Sequence, residues 1–208
     1  MPPTAPNTFG PDVLLVFVGY SSDGTAAAST LVELEPDLQQ VLDNLRQVNR
    51  FIPFTRVKVW KWENDAAPAV GGQAVVVTPQ LDRANIAVFV FKERIGPVTW
   101  EELTYVRKQK ASIPVLPFFP ALPPAAERMM DSAVVEQWFE LLKKQKELSA
   151  GWTEPDSKAV TPLPTYKDVA GLRLLARQRL TDALVRLMSR YDPPPPPRPV
   201  TPPPVAAP

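Results

Sequence analysis

Residues 99–103, Thr-Trp-Glu-Glu-Leu, set two adjacent carboxylates directly after an apolar run and a glycine turn, "VFVFKERIGPV". Glu102 has two uses in such a place. A threonine followed three residues later by glutamate can form a capping box, each side chain satisfying an orphan amide at a helix start. On that reading the helix begins after Thr99. A carboxylate just past the C-terminal end of a parallel strand also stands where open α/β sheets bind their ligands. Glu101 points about 100° away around the helix and reads as solvated.

Other residues can join this chemistry. Ser21 and Ser22, in "GYSSDG", offer hydroxyls and amides to a ribose or phosphate, or simply shape the turn after a strand. Trp60 and Trp62 lie two apart on one strand and so share a face, where they can stack on a base or fill core. Arg94 suits either a phosphate contact or a surface ion pair. Trp100 either covers a pocket mouth or packs in a subunit interface. Lys58 and Lys61 read as surface charges.

Composition narrows the options. The chain has neither Cys nor His, which removes disulfides, thiolate chemistry, histidine-based metal sites and every triad with a histidine base. No metal or cofactor is expected, and any catalysis rests on carboxylates, hydroxyls, lysine or backbone groups. A net charge of +1 without a basic cluster gives no electrostatic footprint for nucleic acid. No apolar stretch is long enough to span a membrane. "MPPTAPNTFGPD" lacks a charged n-region and an apolar h-region, so it reads as no secretory signal and a cytoplasmic location is expected.

The elements that must position these residues alternate. "VLLVFVGY" (13–20) is a doubly buried strand. Leu31, Leu34, Leu38, Val41, Leu45 and Val48 recur every three or four residues, predicting one helix with Pro36 in its first turn. "RVKVWKW" (56–62) reads as a strand, and "QAVVVTPQLDRA" as a short, partly helical connection. "NIAVFVFKERIG" (85–96) and "SIPVLPFFP" (112–120) are further buried strands, flanking the Glu102 helix. Two long helices follow, over roughly 125–148, with Val134, Val135, Trp138, Leu141 and Leu142 inward, and roughly 167–191. Such alternation implies an α/β fold in which a central parallel sheet of about five strands is covered on both faces, with residues 13–18, 86–91 and 113–118 in its interior. No GxGxxG follows the first strand and no GxxxxGK[ST] occurs, so neither a dinucleotide fingerprint nor a P-loop is supported. Of the 27 prolines, about ten follow Asp192. The domain is therefore placed at 12–191, between a disordered N-terminus (1–11) and a proline-rich linker or docking tail (192–208).

In order, "FVGYSS", "VWKWENDAAP", "RANIAVFVFKERIG", "TWEEL" and "IPVLPFF" resemble the motifs of Toll/interleukin-1 receptor (TIR) domains. More specifically, the chain is similar to the TIR-like effector domains at the N-termini of bacterial defence NTPases, over about residues 12–120 and on toward 191. The resemblance implies a flavodoxin-like fold and, as in the family's enzymatic members, cleavage of the nicotinamide–ribose bond of NAD. By position Glu102, immediately before Leu103, is the implied essential residue, and Asn85 stands where relatives usually carry Asp. Implied partners are NAD as substrate, further copies of the chain in an active homo-oligomer, and a sensor or NTPase module fused beyond the proline-rich segment. Either ADP-ribose or a cyclic form can be the product. A TIR-like scaffold that signals by self-association and binds no nucleotide is the alternative, and a small-nucleotide sensor a third. The scaffold would need an interaction surface and no cleft.

Overall fold

Three strands follow directly from their apolar runs: β1 (Val13–Tyr20), β3 (Ile86–Val90) and β4 (Val115–Pro120). They occupy the interior of a five-stranded, all-parallel sheet of order β2-β1-β3-β4-β5, as their lack of a polar face requires. β2 (Arg56–Lys61) and the two-residue β5 (Thr165–Tyr166) form the edges. This is the flavodoxin-like order, in which the connections change direction between β1 and β3. The computed structural model describes residues 9–61, 73–109, 112–121, 132–150, 152 and 163–191. The N-terminal segment before residue 9, Trp62 and the proline-rich tail lie outside the described residues.

Helices cover both faces. On one side α1 (Thr25–Val32), α2 (Glu35–Val48) and the C-terminal α6 (Val169–Ser189) pack on Leu14, Val16 and Val18 of β1. On the other, α3 (Gln73–Arg83), α4 (Pro97–Gln109) and α5 (Ser132–Ser149) pack on Leu15, Phe17 and Phe89. Alternate β1 side chains thus feed opposite cores, as strand geometry dictates.

Several local expectations change. The helix anticipated from Leu31 to Val48 is two helices, and Pro36 lies in the first turn of the second. α1 buries Ala27 and Ala28, whose small side chains bring its backbone close to the sheet. Val48 is 90% exposed, because α2 ends there and turns away. Val134 is likewise exposed rather than inward, while Trp138, Leu141 and Leu148 carry the buried stripe of α5. α3 is a full helix of 11 residues despite its β-branched run and internal Pro79.

Three hydrogen-bond arrangements hold the sheet ends. Asn85 Oδ1 accepts from Leu15 N–H at 2.8 Å while Asn85 N–H donates to Leu15 O at 2.9 Å. The residue before β3 therefore clips that strand to β1 through an acceptor oxygen, which Asp would supply equally. At the β2 edge, Gln39 Oε1 and Glu35 Oε2 of α2 accept from Val57 and Val59 N–H at 2.7 and 2.8 Å. In β4 the carbonyls of Pro114 and Phe118 face β3, whereas Phe119 N–H bonds toward β5. By alternation Pro117, lacking an N–H, faces the side where β5 pairs only with Phe119 and Pro120.

Candidate active site

The carboxyl edge of β1 lies at the point where the connections reverse, and a cleft of about 510 Å³ opens there. That volume falls within the range of small-molecule sites. Its walls come from the end of β1 (Phe17, Gly19), Ser21 just past it, Trp60 of β2, Val77 of α3, the turn Arg94–Gly96 and the first residues of α4 with Glu102.

Sequence explains how Glu102 reaches the cleft. Gly19 pairs in register with Phe89, and the missing side chain lets the Phe89 ring lean across β1. A Cβ built on Gly19 would sit 2.7 Å from Phe89 Cδ1 and 3.2 Å from Glu102 Oε2. The half-buried carboxylate of Glu102 is thus seated on a bare stretch of strand. Glu101 points outward and is exposed.

The capping-box reading of Glu102 is overturned. α4 begins at Pro97, and Gly96 O accepts the first intrahelical bond from Trp100 N–H at 3.0 Å. Thr99 is therefore inside the first turn and buried, and Glu102 lies in the second turn. A capping box pairs the N-cap with the third helical residue, a place Thr99 itself takes.

Of the other candidates, Ser21, Trp60 and Arg94 come together in the cleft wall. Trp60 is 1% exposed and stacks on Phe17, ring centroids 5.4 Å apart. It is core and cleft floor at once. Ser21 Oγ and Trp60 Nε1 are buried donors without a hydrogen-bond partner; since buried polar groups are generally satisfied, such orphans call for an explanation. Ser22 opens a 3-10 turn, Ser22–Gly24, and its side chain lies outside what the structure describes, as does Trp62. Trp100 is not among the cleft-lining residues: its ring packs against Phe91 at 6.4 Å and lies beneath Lys144 Nζ at 4.9 Å.

Two charged residues proved different from their sequence reading, Asp23 beside the cleft and Lys61 on the opposite face of the sheet. Asp23 joins the loops that frame the cleft, its Oδ2 accepting from Glu93 N–H at 2.8 Å and its Oδ1 standing 3.7 Å from Arg94 Nε. Only an Asp-Gly turn was visible in sequence, since the partner loop is 70 residues away. Lys61 is no surface charge. It is 3% exposed, donates to Ser29 Oγ at 2.8 Å and sits 5.7 Å from the Tyr20 ring centroid. Lys58 does lie at the surface, 3.6 Å from Glu35. Behind the cleft, Tyr166 donates to Phe91 O at 2.5 Å; burial first, then the Asp23 charge, pushes its phenol well above the ordinary tyrosine range.

Among the described residues no group of three or more Asp and Glu side chains converges as a metal site, and no helix is long and apolar enough to cross a membrane. Compared with protein-family models and with curated proteins, the chain has no match in either.

Proposed function

We propose that this chain is a TIR-like NAD glycohydrolase effector that cleaves the nicotinamide–ribose bond when several copies are brought together. The observation that carries this reading is the seating of Glu102 over Gly19 in a cleft of about 510 Å³ at the carboxyl edge of the sheet. A self-association scaffold requires no such cleft.

The chemistry suits the residues available. As the C1′–N bond breaks, its electron pair passes to the nicotinamide ring, which leaves neutral, and positive charge develops on the ribose. A fixed carboxylate beside that ribose stabilises the oxocarbenium-like state, as in glycoside hydrolysis. Water then adds to C1′ and gives up a proton, leaving ADP-ribose. Because the leaving group departs from a cationic ring, no strong general acid is needed. Half-burial of Glu102 strengthens its field relative to a carboxylate in open water. Phe17 and Trp60, buried and stacked on one another, form a rigid apolar floor beneath the cleft.

The test is Glu102→Gln with Glu101→Gln as its matched control, each crowded on a surface and incubated with NAD while nicotinamide release is followed by chromatography. Glu102→Gln conserves shape and should melt near wild type, yet release nicotinamide about a hundredfold to a thousandfold more slowly, the usual effect of losing a preorganised electrostatic group. Glu101→Gln should keep wild-type turnover. Equal rates for wild type and Glu102→Gln would remove the catalytic role. Inert wild type under crowding would hand the fold to the scaffold reading.

A further inference from the structure

We propose that the outer face of α5 is a self-association surface, on which two copies of this chain pair antiparallel about a two-fold axis. The effect of pairing on turnover rests on the glycohydrolase reading, whereas the pairing itself is carried by the surface alone.

Trp138, Leu141 and Leu148 turn inward from α5 and are buried. The opposite stripe runs through Glu136, Phe139, Glu140, Lys143 and Lys146, all exposed and spaced by three or four, which makes them neighbours on one helix face. Phe139 stands 68% exposed at its centre, although an aromatic ring gains much from burial. The charges around it are sorted by sign. Glu136 and Glu140 are like charges four apart, and Lys143 and Lys146 are like charges three apart, an arrangement that disfavours the helix by itself. None of these four side chains is in an ion pair among the described residues. Lys144 turns elsewhere, over the Trp100 ring and against Glu147 Oε2 at 3.4 Å. A negative half, an apolar centre and a positive half thus lie in line along α5.

That order is self-complementary. A two-fold axis between Phe139 and Glu140 lays α5 antiparallel on the partner's α5. Each Glu136 then stands opposite the partner's Lys143, about 5 Å along the helix from the axis, and the two Phe139 rings cover each other at the centre. In such an isologous interface every contact is made twice, so one pattern supplies both ion pairs. A wholly acidic or wholly basic partner would match one half of the face and repel the other. α5 has 18 residues and is about 27 Å long, so a contact between two such helices belongs with small, transient interfaces. It is sparsely formed in dilute protein and fills by mass action when copies are gathered. α5 also touches the cleft helix, since Lys144 lies 4.9 Å over Trp100, two residues before Glu102. Pairing on α5 thus bears on the helix that carries the carboxylate.

The test is sedimentation of the full chain at low salt over a range of concentrations, in wild type, Glu136→Lys, Lys143→Glu and the double reversal carrying both changes. Both positions are exposed, so all four proteins should melt alike. Wild type should self-associate, and less so as salt screens the pairs. Each single reversal sets like charges opposite one another twice and should associate at least about tenfold more weakly. The double reversal should recover wild-type association. An equimolar mixture of the two single reversals should recover it as well, because every facing pair is again of opposite sign. Wild type that stays monomeric at about 1 mM, single reversals that associate like wild type, or a mixture that stays apart would each overturn the surface. Nicotinamide release by crowded protein separates this inference from the activity. The expected pattern of association without any release retains the surface and loses the glycohydrolase. Release that rises with crowding equally in wild type and Glu136→Lys retains the glycohydrolase and loses the surface.

Discussion

Replacing Gly19 by alanine tests whether the bare strand is what seats Glu102. The new methyl would meet Phe89 Cδ1 at 2.7 Å and Cε1 at 2.8 Å, against about 3.5–4.0 Å for an unstrained carbon pair. Something must therefore yield by nearly an ångström. Phe89 is fully buried and already packs 6.0 Å from the Phe17 ring, so the ring has little room to retreat. Overpacking of this kind costs about 2–3 kcal/mol, which is roughly 5–10 °C in Tm for a domain of this size. The same methyl would stand 3.2 Å from Glu102 Oε2, pressing the carboxylate outward by a few tenths of an ångström. Since a displacement of about 1 Å can lower turnover roughly a hundredfold, a loss of about tenfold is expected. Gly24→Ala is the control, because its Cβ would meet nothing closer than Tyr20 Cβ at 3.6 Å and its φ of −91° is open to any residue. Scanning calorimetry and nicotinamide release on the same samples decide the matter. Adding Phe89→Leu to Gly19→Ala should relieve part of the strain. If Gly19→Ala melts and turns over like wild type while Gly24→Ala behaves the same, the close seating is wrong.

Tyr166 gives a pH signature: its folded phenol is pushed above the usual range, so above about pH 10 the unfolded chain loses a proton that the folded chain keeps, and stability falls as pH rises. Between about pH 9 and about pH 11 the urea midpoint of wild type should drop further than that of Tyr166→Phe; equal drops would refute it. Gln39→Ala strips an acceptor from the Val57 amide and should destabilise by about 1–3 kcal/mol, with faster exchange of that amide in a hydrogen-exchange map. Activity per molecule should rise with protein concentration or surface crowding, because gathering copies raises the population of the competent state; a flat response over about a hundredfold in concentration would refute the requirement for assembly.

The three interior strands were legible because unbroken apolar runs admit only a doubly covered position, and they fixed the class of fold. Elements whose stability comes from tertiary contact were not. α1 buries alanines, which register weakly in a hydrophobic pattern, and α3 keeps its helix although three valines and Pro79 argue against one. At α4 the local signal misplaced the helix start. The Thr99–Glu102 spacing suggested a later start, whereas the helix begins at Pro97, a residue suited to the first helical position because its missing N–H would have no intrahelical partner. The structure opens a cleft beside Ser21 and the turn before α4, the edge where strand order puts ligands in open α/β sheets. Contacts that cross the sheet, such as Asp23 with the Arg94 loop or Lys61 with Ser29, carry no spacing in sequence and could be seen only in three dimensions.

The treatment of the two sheet edges bears on how such a domain can gather at all. An uncovered edge strand invites another chain to add a strand and so to aggregate. Here the β2 edge spends its amides on α2 through Gln39 and Glu35, and the open stretch of β4 presents Pro117, which has no amide to give. Among the described residues neither border offers a complete ladder for a neighbour's backbone to continue. Copies gathered as the proposed function requires would therefore meet through helical and loop faces, where association stays reversible. The crowding that the proposed function calls for would then not feed irreversible cross-β growth.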